Sequence, residues 1–169
     1  VGYNYRLTNL QAAIGCAQLE QLDSFRKKRI ENFKIYDTLL MPTGVFDQQK
    51  IKSTNETSYW LYTICLKSGS CVDRDTLIEE LQVAGIETRP IFYPMYQMPA
   101  FSEYIKKELP NSKDISSRGI SLPSSVELTS GDIKAVCSKL ISIIGGSLLL
   151  DWLHPNKWVD RFQLTGRSD

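Results

Sequence analysis

The stretch GYNYRLTNLQAAIGCAQLEQLD, residues 2–23, carries the strongest structural signal in this chain of 169 residues. Thr8 is a favourable N-cap, and Gln11 three positions later completes a capping box, which satisfies free backbone N–H groups at a helix start. Apolar side chains then recur at helical spacing as far as Leu40, and Pro42 ends the pattern. The sequence therefore predicts one long helix from Thr8 to Leu40.

Small residues crowd the opening of this helix, which contains Ala12, Ala13, Gly15 and Ala17. Small side chains allow a second backbone to approach closely, and a long helix needs its apolar face covered. Two interpretations are open: a contact with another domain or subunit, and a contact inside the core of the same domain.

Short strands and helices alternate in the rest of the chain. Asp73 and Gly85 are typical start and stop signals of a second helix, and Thr129 with Asp132 forms another capping box before a last apolar helix. The patterns predict strands at 59–66, 86–90 and 120–122, a polar loop at 47–57, and short helices near 101–107 and 113–119. Together they predict an α+β fold, in which the long N-terminal helix and further helices pack on a small, mainly antiparallel sheet.

The bulk composition excludes several classes of function. Apolar residues make up 42% and charged residues 23% of the chain, which is the mixture of one globular domain with a real core. The formal net charge is +1, and the single basic run at 26–29 is interpreted as a solvated helix face, so no nucleic acid is expected. No apolar run approaches the ~20 residues that cross a bilayer.

The cysteines and the only histidine do not form a metal-binding pattern. No CxxC pair occurs, and a catalytic triad would have to use His154, so neither zinc nor triad chemistry is expected. Cys16 and Cys137 lie on apolar helical faces and are predicted to be buried. Cys65 and Cys71 could bridge a turn, but without a secretory signature we expect reduced thiols in a cytoplasmic protein.

Two polar-aromatic clusters adjoin well-defined elements. The first, residues 2–6, places Asn4 and Arg6 just before a helix start, where an anion would be favoured. The alternative is a surface loop in which Asn4 and Arg6 satisfy local backbone groups.

The second cluster, residues 87–99, combines prolines with the polar tips of Arg89, Tyr93, Tyr96 and Gln97. A stiff loop of this composition suits a phosphorylated, polyhydroxylated ligand. The alternative is a crossing of the core locked by proline.

Four segments in order resemble the DegT/DnrJ/EryC1/StrS aminotransferases. They are residues 2–23 quoted above, SYWLYTI at 58–64, GIETRPIFYPMYQMPAF at 85–101, and SSRGISLPSSVELTSGDIKAVCSKL at 116–140. The resemblance spans roughly residues 1–144, and the proline-rich motif is most similar to perosamine-synthase-type members. Residues 1–146 are accordingly expected to be the C-terminal small domain of a fold-type I enzyme, followed by an atypical tail at 147–169.

The resemblance implies a homodimer that uses pyridoxal phosphate to pass an amino group from a donor, usually glutamate, to a nucleotide-linked 4-keto-6-deoxy sugar. It assigns Asn4 to the cofactor phosphate of the neighbouring subunit and Arg6 to a substrate or donor carboxylate. It assigns Arg89, Tyr93 and Tyr96 to the sugar nucleotide, although many members have His where this chain has Tyr96.

The family's Schiff-base lysine lies upstream of the GYNYR-like motif, and no lysine here stands in that context. The chain also starts at Val1-Gly2 without a methionine, which suggests a fragment. We therefore expect no catalytic residue in this chain, no covalently held cofactor and no transamination by the isolated polypeptide. Two alternatives are a non-catalytic remnant that serves as a dimerisation module and a related sugar dehydratase.

Overall fold

The computed structural model describes residues 2–52, 54–70, 72–101, 103–104, 107 and 109–145. The helices of this part are α1 Asn9–Glu20, α2 Leu22–Leu40, α3 Arg74–Val83, α4 Pro110–Arg118 and α5 Ser130–Gly145. The strands are β1 Phe46–Gln48, β2 Tyr62–Leu66, β3 Arg89–Pro90 and β4 Gly119–Leu122, and short 3-10 turns occur at Met41–Thr43, Met95–Gln97 and Pro99–Phe101. The predicted α+β architecture is confirmed.

The four strands form one sheet in the order β1-β2-β4-β3, and every neighbouring pair is antiparallel. Ser121 of β4 lies between Thr63 of β2 and Arg89 of β3, and the hydroxyl oxygens of Thr63 and Ser121 are 3.0 Å apart. Because side chains alternate along a strand, these three residues share one polar face of the sheet. The opposite face is apolar.

The core lies between the apolar sheet face and the helices α2, α3 and α5. The ring of Tyr62 stacks on Tyr36 of α2 with centroids 4.5 Å apart, and Phe33 meets Tyr62 edge-on at 5.0 Å. The remaining buried apolar side chains include Leu40, Ile64, Leu77, Leu81, Ile120, Ile133, Cys137 and Leu140. Burial of this apolar area is the main stabilising contribution to the fold.

The predicted single helix is wrong, because the chain breaks into α1 and α2 at Gln21. The Gln21 N–H bonds to the carbonyl of Gln18 at 3.2 Å, and the Gln21 side-chain amide donates to the carbonyl of Ala17 at 3.5 Å. The Ser24 hydroxyl donates to the Gln21 carbonyl at 2.8 Å. Local side-chain hydrogen bonds of this kind compete with the regular helical pattern.

Helix α1 buries none of its residues and makes its main contact with α2. The prediction that Cys16 is buried is therefore wrong, since its thiol is exposed on α1. The described residues also do not show the small-residue face of α1 packed inside the core of this domain. The apolar periodicity of α1 has no covering partner within this part of the chain.

Four local predictions differ from the structure, the first being the strand predicted at 59–66, which begins at Tyr62. Phe46 is 4% exposed and starts β1, so part of the predicted loop 47–57 pairs with β2 instead. The strand predicted at 86–90 is restricted to its last two residues. Of the helix expected near 101–107, the described residues show the end of a 3-10 turn at Phe101 and a turn at 103–104, and residues 102, 105 and 106 lie outside the described residues. Cys71 and the tail 147–169 lie outside the described residues.

Candidate functional site

Residues 2–7, here called the N-terminal arm, precede α1 and are exposed. The Asn4 Oδ1 atom accepts a 3.1 Å hydrogen bond from the Arg6 N–H, and an open depression is lined by Tyr3, Asn4, Tyr5 and Arg6. Among the described hydrogen bonds Asn4 uses only its carbonyl oxygen. Its Nδ2 group can therefore donate to an oxyanion.

The start of α1 adds a weak positive field beside the arm. The Gln11 N–H donates to Thr8 Oγ1 at 3.3 Å, and the Thr8 N–H donates to Gln11 Oε1 at 2.9 Å, so the predicted capping box is confirmed. The first turn of α1 contains no acidic residue, so no side-chain carboxylate neutralises the positive end of the helix dipole. Both features favour an anion near Asn4.

Strand β3 places Arg89 at the edge of the sheet. Its guanidinium lies 3.0 Å from a carboxylate oxygen of Glu87, and the two side chains are 77% and 80% exposed. An ion pair so exposed contributes little stability, because water screens it. Arg89 can therefore exchange this partner for an anionic ligand.

The loop that follows β3 is anchored at its root. The Ile91 N–H donates to the Gly119 carbonyl at 3.1 Å, which extends the β3–β4 pairing by one residue. A Cβ atom on Gly119 would lie 1.9 Å from Cδ1 of Ile91, so only glycine leaves room for this side chain. The root of the loop is thereby held against β4.

Consecutive turns order residues 91–99, here called the 91–99 loop. The Gln97 N–H donates to the Pro94 carbonyl at 2.9 Å, and the Met98 N–H donates to the Met95 carbonyl at 3.0 Å. Tyr93 is 57% exposed, whereas Tyr96 is half-buried and its hydroxyl accepts from Gln97 Nε2 at 3.5 Å. The loop thus presents phenolic hydroxyls from a defined backbone, rather than crossing the core.

The candidate residues fall into two groups. Arg89, Tyr93 and Tyr96 follow one another along β3 and the 91–99 loop, while Asn4 and Arg6 lie on the arm. No hydrogen bond, ion pair or ring contact between described residues joins the two groups. Each group is therefore a partial site.

The part of the chain that the structure describes does not contain the residues needed for a Schiff base or for a metal site. No described lysine is buried, whereas a Schiff-base lysine needs a pocket that favours its neutral form. No cluster of three His, Cys, Asp or Glu there could hold a metal ion. No helix among the same residues has the length and apolar character needed to cross a membrane.

Two of the described thiols, those of Cys65 and Cys137, are not activated nucleophiles. Burial raises the pKa of Cys137 to about 12, and burial is also the main cause that raises the pKa of the half-buried Cys65. A reactive thiol needs the opposite shift, towards the thiolate.

A contact that the sequence does not signal involves Arg29, which belongs to the basic run interpreted above as a solvated face. Its Nη1 group donates to the carbonyl oxygens of Tyr59 at 3.3 Å and Trp60 at 2.7 Å. Partners about 30 residues apart leave no local pattern, so only the fold reveals this contact.

Comparison with known proteins gives a consistent family relationship. The sequence profile of the DegT/DnrJ/EryC1/StrS aminotransferase family matches residues 1–141. The GDP-perosamine synthase of Caulobacter vibrioides is 35% identical over 145 residues, which cover 85% of this chain and 39% of that protein. The GDP-perosamine synthase of Vibrio cholerae is 40% identical over 141 residues, covering 82% of this chain and 38% of that protein. The chain thus spans about two-fifths of the length of these relatives.

Solved structures agree with the fold. The DegT DnrJ EryC1 StrS aminotransferase from Brucella abortus superposes with a TM-score of 0.74 at 25% identity, over 86% of this chain and 38% of that chain. The E. coli GDP-4-keto-6-deoxy-D-mannose-3-dehydratase with bound hydrated PLP superposes with a TM-score of 0.73 at 26% identity, over 82% of this chain and 36% of that chain.

Proposed function

Because the chain belongs to the DegT/DnrJ/EryC1/StrS aminotransferase family, we propose that it forms the C-terminal small domain of a sugar aminotransferase. The enzyme uses pyridoxal phosphate to transfer an amino group to a nucleotide-linked 4-keto-6-deoxy sugar. The observation that carries this proposal is the similarity to GDP-perosamine synthases along 82–85% of the chain. Residues 1–146 form this domain, and the tail 147–169 is an addition to it.

The residues of this chain fit one side of the cofactor. Asn4, with its available Nδ2 group near the positive end of α1, holds a phosphate oxygen of pyridoxal phosphate in the neighbouring subunit. When bound, the cofactor supplies the electron sink for the transfer of the amino group. Its covalent attachment does not fit the described lysines, because none of them is buried, and we propose that the Schiff-base lysine lies in a preceding domain. The isolated polypeptide is therefore inactive.

The two partial sites divide the substrates between them. Arg6 contacts a carboxylate of the amino donor, and Arg89 releases Glu87 to bind the anionic sugar nucleotide. The Tyr93 and Tyr96 hydroxyls orient the sugar by hydrogen bonds. None of these residues takes a proton in the reaction; they bind and position.

The uncovered α1 supports assembly with further protein. Leu10 and Ile14 are 72% and 57% exposed, and a helix of 12 residues that buries nothing is marginal in water. In the cytoplasmic enzyme, α1 and the arm pack on a larger N-terminal domain within a homodimer. If no lysine-bearing domain accompanies the chain, we propose that the chain acts as a non-catalytic dimerisation module.

A related dehydratase is a second candidate. The GDP-4-keto-6-deoxy-D-mannose 3-dehydratase of Yersinia pseudotuberculosis is 38% identical over 90 residues, covering 53% of this chain and 22% of that protein. Dehydration removes a hydroxyl and adds no nitrogen to the sugar, so the product distinguishes the two reactions.

A chimera tests the proposal. Residues 1–146 replace the corresponding segment of the Vibrio cholerae synthase, and the purified protein is incubated with glutamate and GDP-4-keto-6-deoxy-D-mannose. An aminated sugar nucleotide, detected by mass, is expected, with none formed by the chain alone. A product that has lost water without gaining nitrogen supports the dehydratase. A folded, cofactor-loaded chimera with neither product contradicts both.

A further inference from the structure

Tyr59 adopts a strained backbone conformation just before β2. Its φ is +52°, and it is the non-glycine residue with positive φ in the part of the chain that the structure describes. A bulky side chain rarely adopts this region, and such outliers persist only where the surroundings hold them. The strained residue immediately precedes Trp60 in the sequence.

Three contacts hold Tyr59 and Trp60 in place. The Trp60 carbonyl accepts hydrogen bonds from Arg29 Nη1 at 2.7 Å and from the Ser124 hydroxyl at 2.8 Å. The Tyr59 ring meets Phe33 edge-on with centroids 5.1 Å apart. The backbone of Trp60 is thus fixed, while its side chain is 60% exposed. The fold presents a large aromatic surface to solvent from a rigid base.

Positive charge lies beside the backbone of Trp60, whose carbonyl oxygen is 2.7 Å from Arg29 Nη1. Arg29 bonds only carbonyl oxygens here, and none of the ion pairs between described residues includes it. Arg26, one turn earlier on α2, pairs with the exposed Glu56 at 3.5 Å, its one ion-pair partner among the described residues. An exposed aromatic side chain, on a residue whose backbone binds an arginine without an acidic partner, suits an aromatic anion.

The position of Trp60 relative to Arg89 agrees with this chemistry. Strands β2 and β3 both run antiparallel to β4, with Tyr62 opposite Leu122 and Arg89 opposite Ser121. Both therefore begin at the end of the sheet where β4 finishes. Trp60 and Arg89 lie at the same end of the sheet.

We infer that Trp60 and Arg29 form a nucleotide contact site, in which the base stacks on the indole and the phosphates lie beside the guanidinium. The inference rests on the proposed function and adds to it the place where the nucleotide part of the substrate is bound. Tryptophan and arginine are also frequent in protein interfaces, so a second copy of this chain is the competing occupant.

The test uses the complete 169-residue chain, labelled with ¹⁵N, and GDP as the probe. The indole N–H signal of Trp60, assigned with Trp60→Phe, is followed by NMR as GDP is added at constant protein concentration. We expect a saturable shift of this signal and a smaller shift with guanosine. The backbone amide signals of the same spectra, which remain in Trp60→Ala, should show affinity about ten-fold weaker in that variant, as for loss of one stacked base. Arg29→Gln also weakens GDP binding.

Matched controls separate specific from general effects. Tyr104→Ala removes an aromatic that is 79% exposed elsewhere, and Lys34→Gln removes a charge from an exposed position of α2; neither alters GDP affinity. No Trp60 shift at about 10 mM GDP, a concentration far above the usual range of substrate KM values, overturns the inference. A shift that depends on protein concentration and not on GDP assigns Trp60 to a subunit contact instead. The readout needs no cofactor or turnover, so an inactive chimera leaves it unaffected.

Discussion

Gly119 lies so close to Ile91 that a Cβ atom on it would stand 1.9 Å from Cδ1 of Ile91 and 2.8 Å from the carbonyl oxygen of Ile115. Gly119 starts β4, and Ile91 starts the 91–99 loop, so this contact joins the sheet directly to the root of the candidate substrate loop. Glycine is required here for space, since no positive φ is involved.

Gly119→Ala is expected to lower the free energy of unfolding by about 1–3 kcal/mol, because an added methyl overpacks this contact. Urea denaturation followed by circular dichroism measures the change. Gly131→Ala is the control: its Cβ would lie 3.5 Å from Thr129 Oγ1, an ordinary contact in the first turn of α5, so it should not destabilise. Equal stability of the two variants would contradict the overpacking.

Alkaline pH is expected to destabilise the fold in two stages. Burial raises the pKa of Cys137 from 9.0 to about 12, and burial with the hydrogen bond to Asp37 raises the pKa of Tyr62 well above 10.0. Both groups hold their protons in the folded state at a pH where the unfolded chain releases them. The contribution of these protonated groups to the free energy of unfolding is therefore fully present below about pH 9. It falls above that pH, by up to about 1.4 kcal/mol per pH unit for each group.

Cys137→Ala should weaken the first stage, so that the decline between about pH 9 and about pH 10 becomes shallower. Cys65, whose pKa burial also raises, keeps the rest of this stage. Urea midpoints measured at intervals from about pH 8 to about pH 11 reveal the slope. Cys16→Ala, which removes an exposed thiol, should leave the slope unchanged.

Asn4→Ala in the chimera is expected to weaken retention of pyridoxal phosphate about 10- to 150-fold, because a hydrogen bond to a charged phosphate is worth about 1.5–3 kcal/mol. The cofactor dissociation constant is measured by equilibrium dialysis with absorbance. Asn55→Ala, in an exposed loop, is the matched amide control. Unchanged cofactor affinity would remove Asn4 from the site.

Arg89→Ala in the chimera is expected to raise the KM for the sugar nucleotide by about ten-fold or more, with a smaller effect on the KM for glutamate, since it removes a charged hydrogen bond to one substrate only. Glu87→Ala removes the partner of Arg89 and leaves the guanidinium in place, so it should not raise either KM. Equal increases for both substrates after Arg89→Ala would assign this residue a structural role.

Ile14→Glu is expected to reduce self-association of the chain without lowering its unfolding midpoint. Ile14 is 57% exposed on α1, whose apolar side chains form an uncovered surface suited to association. Sedimentation velocity over a range of concentrations measures the effect. Val83→Glu is the control, because Val83 is 91% exposed on α3, away from that surface.

Features encoded by neighbouring residues were predictable. The boxes at Thr8 and Thr129 and the cap at Asp73 form as expected, because each depends on side chains within three positions of the helix start. Gly85 ends its helix with a φ of +79°, which favours glycine. Motif order likewise sufficed to identify the family, which the match over residues 1–141 supports.

Features that depend on distant partners were not predictable. Strand β1 forms only because β2 offers it a partner. The break at Gln21 was missed for a different reason: its hydrogen bonds are local, but a continuous helix and a broken one compete at this position and the apolar spacing does not distinguish them. The exposure of Cys16 shows that helical apolar periodicity indicates a face that needs covering, without indicating what covers it.

The sequence by itself determined the α+β class, the helix starts, the family and the two polar-aromatic clusters, because these depend on short-range chemistry and motif order. The tertiary structure alone decided that Arg29 holds Trp60, that Gly119 seats Ile91, and that α1 lies outside the core. These arise where long-range packing brings together residues far apart in the chain, and no local pattern encodes which of them will meet.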